Sequence, residues 1–302
     1  MPTLEVEVAG IRMRNPTMLA SGILDETGRS MVEVARAGAG AVVTKSVGLE
    51  PREGHGNPSV VELDCGLINA MGLPNPGIDA YLPDVELALS SGVPVIGSVF
   101  GSSEGEISEV AGRMASAGVA AVELNLSCPH AKGVGAEIGS TPEMVERICR
   151  AVKAVVQVPV FAKLTPNTSS IAALASAAER GGADGIVAIN TLKAMAICPE
   201  VGRPVLSNRF GGLSGPAIRA VGVRCVFEIH HAVDLPVIGV GGVGSARDAL
   251  EYIMAGASAV QIGTAVWSEG AEVFSSVCQG LVEFMKENGY GSIEEMSGLA
   301  HR

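Results

Sequence analysis

Eight short apolar runs in this sequence each end on residues able to charge, hydrogen-bond or closely approach a small molecule. They are Ser21-Gly22, Lys45-Ser46, Ser98, Asn125, Lys163, Asn190-Thr191, Gly241-Gly242 and Gly263-Thr264. Lysine brings a cation, asparagine brings donors and acceptors together, and glycine lets backbone N–H groups come close to an oxyanion. One polar residue after an apolar run is ordinarily a solvated strand end. Lysines, asparagines and glycine pairs ending successive runs point instead to a ligand site. GVGGVGSARDAL and QIGTA complete the series. Glycines ahead of a helix N-terminus suit a phosphate, since backbone donors and the helix dipole both favour an anion. GGVGS is weak alone and is strengthened by GT one strand later.

ELNLSCPHAKG carries a cysteine of a different kind from the others. Pro129 ends the preceding run and leaves Cys128 in a loop beside Asn125, Ser127 and His130. A free thiol titrates near ~8.5, so a thiolate there needs local help. Nucleophile and general base both stay open on the residues alone. A Cys–His protease pair is disfavoured, because the same mouth reads as the seat of a phosphate-bearing cofactor. Cys149 and Cys225 fall in apolar helical stretches and read as inert core. Cys65 and Cys198 lie in inserted loops and receive no role, nor do His55, His230, His231 and His301. In LINAMGLPNPG, Asn69 and Asn75 flank a Gly-Pro turn whose N–H groups suit a small anion, although such clusters also make ordinary turns. The closest cysteines, Cys128 and Cys149, are 21 positions apart. That spacing leaves no metal or iron–sulfur site carried by this chain alone.

The elements that must position these residues follow two interleaved patterns. AGAGAVVTKS, AGVAAVELNL, GGADGIVAIN and AGASAVQIGT run from a small-residue helix end into a strand. NPTMLASG, VPVIGSV, VPVFAKL and LPVIGVGG open a strand with Pro16, Pro94, Pro159 or Pro236, where a missing N–H is tolerated. Strands are therefore expected near 17–21, 40–45, 93–98, 119–125, 158–163, 185–190, 235–241 and 258–263. Amphipathic stretches such as TPEMVERICRAVKAV and SIAALASAAERGG separate them. A doubly wound sheet competes, but the even alternation favours an α/β chain folded as a single (β/α)8 TIM barrel over residues 1–302. Inserted loops at 47–77, after strand 2, and 192–215, after strand 6, lie on the face where barrels place active sites.

Composition excludes several classes. The 302 residues carry a net charge of −11, against a phosphate-backbone binder. Apolar residues at 47% exclude disorder, and aromatics at 3% leave the core to Val, Ile, Leu and Ala. MPTLEVEVAG lacks the pattern of a secretory leader, and no apolar run nears the ~18 residues of a membrane span. The chain is expected to be soluble and cytoplasmic.

LINAMGLPNPG, ELNLSCPH, FAKLTPN, VAINTLKAMAI, FGGLSGPAI, IGVGGV and VQIGTAV together resemble the dihydroorotate dehydrogenases, above all the class 1 catalytic subunit of the NAD-linked B type. The resemblance runs from about Ser21 to Trp267 and keeps the family's motif order. It implies FMN-dependent oxidation of dihydroorotate to orotate in de novo pyrimidine (UMP) synthesis. It implies an FMN phosphate on Gly241, Gly242, Gly263 and Thr264, and flavin contacts from Ser21, Lys45, Ser46, Asn125, Lys163, Ile189 and Gly215. Substrate contacts would come from Lys45, Asn69, Ala70, Met71, Gly72, Leu73, Asn125, Asn190 and Thr191. Cys128 would be the catalytic base and Lys163 the cation facing the reduced flavin. The implied assembly is a homodimer core with a second subunit carrying FAD and an iron–sulfur cluster, through which electrons reach NAD. His130 and Ser98 stand where the family commonly has Asn. The related alternatives are a dihydropyrimidine dehydrogenase-like enzyme, which shares SCPH, a fumarate-linked A-type enzyme, and a non-catalytic flavin-binding barrel.

Overall fold

In the computed structural model, which describes residues 2–126, 139 and 141–302, all eight expected strands are present. They are β1 (Thr17–Leu19), β2 (Ala41–Val43), β3 (Val95–Val99), β4 (Ala121–Asn125), β5 (Val160–Leu164), β6 (Gly185–Ala188), β7 (Val237–Val240) and β8 (Ala257–Ile262). Each pairs in parallel with its sequence neighbours, and β8 returns to β1 to close the barrel. Closure eliminates the doubly wound alternative.

The proline pattern has a physical reason. Pro16, Pro94, Pro159 and Pro236 each stand one residue before β1, β3, β5 or β7 and keep a useful carbonyl. Those carbonyls accept the N–H of Val260, Val42, Val122 and Ile186, each in the adjoining even-numbered strand, at 2.8–3.0 Å. A residue without an N–H thus serves at the rim, where only its acceptor is required.

A helix follows every strand, and five of these begin on a Ser or Thr whose hydroxyl accepts an N–H of the first turn: Thr27, Ser103, Thr141, Ser170 and Ser245. The barrel interior packs Met18, Val43, Ile96, Phe161, Val187 and Ile238, joined by Val8 and Met13 from an N-terminal hairpin, Val6–Val8 with Ile11–Met13. Phe161 is fully buried, and truncating such a side chain in a core costs about 3–5 kcal/mol.

The two insertions are not merely loops. Strands Val60–Leu63 and Gly66–Asn69 of the first pair with Leu192–Ala194 and Gly211–Ser214 of the second in one four-stranded antiparallel sheet. Its pleat alternates. Ile68 and Ala70 pack with Leu206 in a small core of their own, while Leu67 and Asn69 face the barrel mouth. Among the described residues, no helix is long and apolar enough to cross a membrane.

Candidate active site

Strand ends and inserted sheet enclose a cavity of about 380 Å³. The strands present Ser21, Lys45, Ser46, Asn125, Lys163, Ile189, Asn190, Thr191, Gly241, Gly242, Gly263 and Thr264 to it, and the insertions add Asn69, Met71, Gly72, Leu73 and Gly215. Two expected residues are elsewhere or outside view. Ala70 is not among the lining residues: one step past Asn69 the pleat turns it into the sheet's own core, 1% exposed, with its N–H on the Ser59 carbonyl. Cys128, with Ser127, Pro129 and His130, lies outside the described residues.

A line of hydrogen bonds joins the strand ends. Ser21 Oγ and Ser46 Oγ are 3.2 Å apart, and Ser46 Oγ lies 2.7 Å from Ser98 Oγ. Asn125 Nδ2 donates to Ser46 Oγ at 3.1 Å, and Asn190 Nδ2 donates to Asn125 Oδ1 at 3.3 Å. Amides and hydroxyls from five strand ends therefore hold one another in place before any ligand arrives, which fixes their directions. Asn75 is a brace and not a ligand group. It is buried, its Oδ1 accepts from Gly77 N and its Nδ2 donates to Leu73 O, which shapes the turn that brings Met71, Gly72 and Leu73 to the cavity.

The two cations have different settings. Lys45 is 8% exposed, and among the described residues its ammonium pairs with the exposed Glu26 carboxylate at 3.6 Å. Lys163 is held deeper, donating to Glu123 Oε1 at 3.0 Å and Gln261 Oε1 at 3.3 Å, while Gln261 Nε2 donates to Glu123 Oε2 at 2.7 Å. The sequence reading missed Glu123 and Gln261. Each interrupts an apolar strand two residues before a lining residue, Asn125 and Gly263, and that period-2 parity is the signal that would have found them.

At the glycine end, Gly241 and Gly242 have φ of +129° and +69°. A Cβ on Gly242 would stand 2.6 Å from the Gly215 carbonyl oxygen, and one on Gly215 would stand 2.9 Å from Gly66 Cα. These backbones leave no room for side chains and form a smooth cradle. The helix that follows, Ala246–Met254, is already capped, since Asp248 Oδ2 accepts from Gly244 N, Ser245 N and Ser245 Oγ. The loop glycines, more than the helix end, are thus the surface offered to an anion.

Beneath Lys45, Asp25 is fully buried. Its Oδ2 accepts from Gly22 N at 2.5 Å and Ser21 Oγ at 3.3 Å, and its Oδ1 has no hydrogen-bond partner among the described residues. Burial pushes its carboxyl above the ordinary range, opposed by the Lys45 charge. A carboxyl raised by folding contributes stability fully present below its unfolded value and lost as pH rises through the folded one. Asp25→Asn removes that loss. Its melting temperature relative to the wild type should therefore climb as pH rises above the ordinary carboxyl value of about 4. Parallel melting curves across that range would refute the assignment.

The sequence model of the dihydroorotate dehydrogenase family matches residues 3–285. The chain belongs to the dihydroorotate dehydrogenase family. It is 54% identical over 296 residues to the dihydroorotate dehydrogenase B (NAD+) catalytic subunit of Methanosarcina mazei, covering 97% of this chain and 94% of that one. The subunit of the same name from Thermoplasma acidophilum is 52% identical over 302 residues, all of both chains. A crystal structure of the Eimeria tenella dihydroorotate dehydrogenase, in complex with ferulenol, superposes with a TM-score of 0.87. That match covers 99% of this chain and 89% of the other at 24% identity, and it speaks to the fold. Among the described residues of this family member, no group of three or more His, Cys, Asp or Glu residues is placed to hold a metal ion.

Proposed function

We propose that this chain oxidises dihydroorotate to orotate in pyrimidine synthesis, as the catalytic subunit of an NAD-linked dihydroorotate dehydrogenase with FMN as its flavin. The observation that carries the reading is the single cavity in which Lys45, Asn125, Lys163 and Asn190 meet a side-chain-free glycine cradle. The cradle fits a phosphate, the amides fit a ring with alternating donors and acceptors, and the two ammonium groups fit two separate negative charges.

The reaction removes a proton from one ring carbon and a hydride from its neighbour, leaving a double bond between them. Bound FMN supplies the hydride acceptor. Cys128 takes the proton on its sulfur, as the residue at the family's base position. Lys45, with the N–H groups of Met71, Gly72 and Leu73, receives the substrate carboxylate. Asn125 and Asn190, locked to each other and to Ser46, fix the ring's orientation, which is what positioning contributes to rate. Lys163 faces the negative charge that develops as the flavin is reduced. The inserted sheet lines one side of the cavity.

The electrons must then leave. With cysteines no closer than 21 positions, the chain offers no cluster-binding spacing, and its G-x-G-x-x-G run, Gly239 to Gly244, is better accounted for by the FMN phosphate than by a separate dinucleotide-binding unit. The resemblance to the NAD-linked type implies a partner subunit with FAD and an iron–sulfur cluster as the route by which electrons reach NAD. The test is to supply the FMN-loaded chain and dihydroorotate with NAD alone, with fumarate alone, and with NAD plus an electron-transfer subunit. Turnover only in the third mixture is expected. Rapid NAD reduction by the chain alone would contradict the partner, and efficient fumarate turnover would make the enzyme A-type.

The cradle gives a further expected result. Gly242→Ala places a Cβ at a positive φ against the Gly215 carbonyl, a strain of about 1–3 kcal/mol that must move the backbone. FMN retention should weaken by about tenfold or more, read as flavin-to-protein ratio after dialysis. Full retention would remove the glycines from phosphate binding.

A further inference from the structure

Among the described residues, the Glu123–Lys163–Gln261 triangle brings a carboxylate, an ammonium and an amide together in a largely apolar part of the barrel. Glu123 pairs in register with Phe161 and Ser98, and Gln261 with Met18 and Val240, all buried and all apolar but Ser98. Glu123 itself has no exposed surface, and Lys163 is 6% exposed. A buried ion pair is commonly no more stabilising than well-packed apolar side chains of the same volume, so stability alone is a poor reason for this one. Its placement gives a better reason. β4, β5 and β8 each contribute one member, and Lys163 is the member that borders the cavity.

An ammonium has three N–H donors. Glu123 and Gln261 take two of them from Lys163, at 3.0 Å and 3.3 Å, and bind each other at 2.7 Å. The third is left on the cavity side, in a direction set by the other two. Glu123 also brings a full negative charge beside the cation, so the triangle as a whole is close to neutral.

We propose that Glu123 and Gln261 are positioning residues for Lys163: they aim its remaining N–H at the bound flavin, and the Glu123 charge sets how strongly the site favours the reduced form. This rests on the flavin reading above. An anion beside Lys163 offsets the attraction that the cation exerts on charge developing in the ring. Removing the anion while keeping the shape should make reduction easier. Shortening the anion's side chain while keeping its charge should pull the cation off its aim and slow the reaction.

The test measures the midpoint potential of FMN in the loaded chain, and dihydroorotate kinetics, for wild type, Glu123→Gln and Glu123→Asp. Glu123→Gln should raise the potential by at least about 30 mV, a tenfold shift in the two-electron equilibrium. Glu123→Asp should lower kcat at least about tenfold with KM unchanged, the signature of a misplaced group. A Glu123→Gln potential at or below the wild-type value would overturn the proposal, as would a Glu123→Asp enzyme with wild-type kcat. A purely structural pair would lower the melting temperature and move neither readout. Should Glu123→Gln fail to fold, Glu123→Asp decides on kcat and KM. A wild-type chain that takes up no FMN would overturn the flavin reading and this inference with it. A flavin-loaded wild type whose potential Glu123→Gln does not raise would overturn this inference alone.

Discussion

Cys128→Ala should keep its FMN and lose about 10²–10⁴-fold in the rate at which dihydroorotate reduces it, the range that general base catalysis supplies. Proton removal at the ring carbon and hydride departure from its neighbour are coupled steps, so losing the base stalls the second as well. The wild-type reduction rate should rise with pH toward the thiol's pKa, because only the thiolate accepts the proton. The alanine variant should show no such rise. His130, if close to the sulfur and protonated, would lower that pKa, and His130→Asn would move the rise to higher pH. Stopped-flow reduction under anaerobic conditions reads all three proteins. A Cys128→Ala chain reduced at the wild-type rate would take Cys128 out of the mechanism.

Lys45→Ala should weaken orotate binding by about 2–5 kcal/mol, roughly 30-fold or more, with FMN retained. The side chain is buried to 8% exposure, and its nearest carboxylate, Glu26, is an exposed one. A ligand carboxylate entering the cavity would compete with a weak, solvent-screened partner and win. The same logic sets substrate choice. Dihydrouracil lacks only that carboxylate, and a site built around a charge rejects the ligand that leaves it unpaired. Titration of flavin absorbance with orotate measures the effect directly. Orotate affinity within about threefold of wild type, under 1 kcal/mol, would place the carboxylate elsewhere.

The barrel was legible because its strands are announced locally. Each odd strand follows a proline whose carbonyl is used, and each even strand follows a small-residue helix end. The mouth was legible for the same reason: its residues follow directly from where the apolar runs stop. The sheet over the mouth was not. Its strands are three or four residues long, and the pairing that joins the two insertions links residues far apart in sequence, as in Gly212 beside Asn69. No local periodicity encodes a pairing of that kind. Ala70 packs into the small core while Asn69 and Met71 line the cavity, because the pleat sends neighbouring residues to opposite faces. Glu123 and Gln261 were hidden inside runs read as core, since their purpose shows only when three strands bring them to Lys163. The N-terminal hairpin turns on Ala9 and Gly10, both at positive φ, and is too short for a pattern to emerge.

Mixing the FMN-loaded chain anaerobically with dihydroorotate, and separately with dihydrouracil, tests the central claim most directly. Dihydroorotate should bleach the flavin absorbance within the dead time or seconds of mixing, while dihydrouracil leaves it yellow over the same interval. Flavin that stays oxidised with dihydroorotate, or is bleached equally by dihydrouracil, would contradict the account.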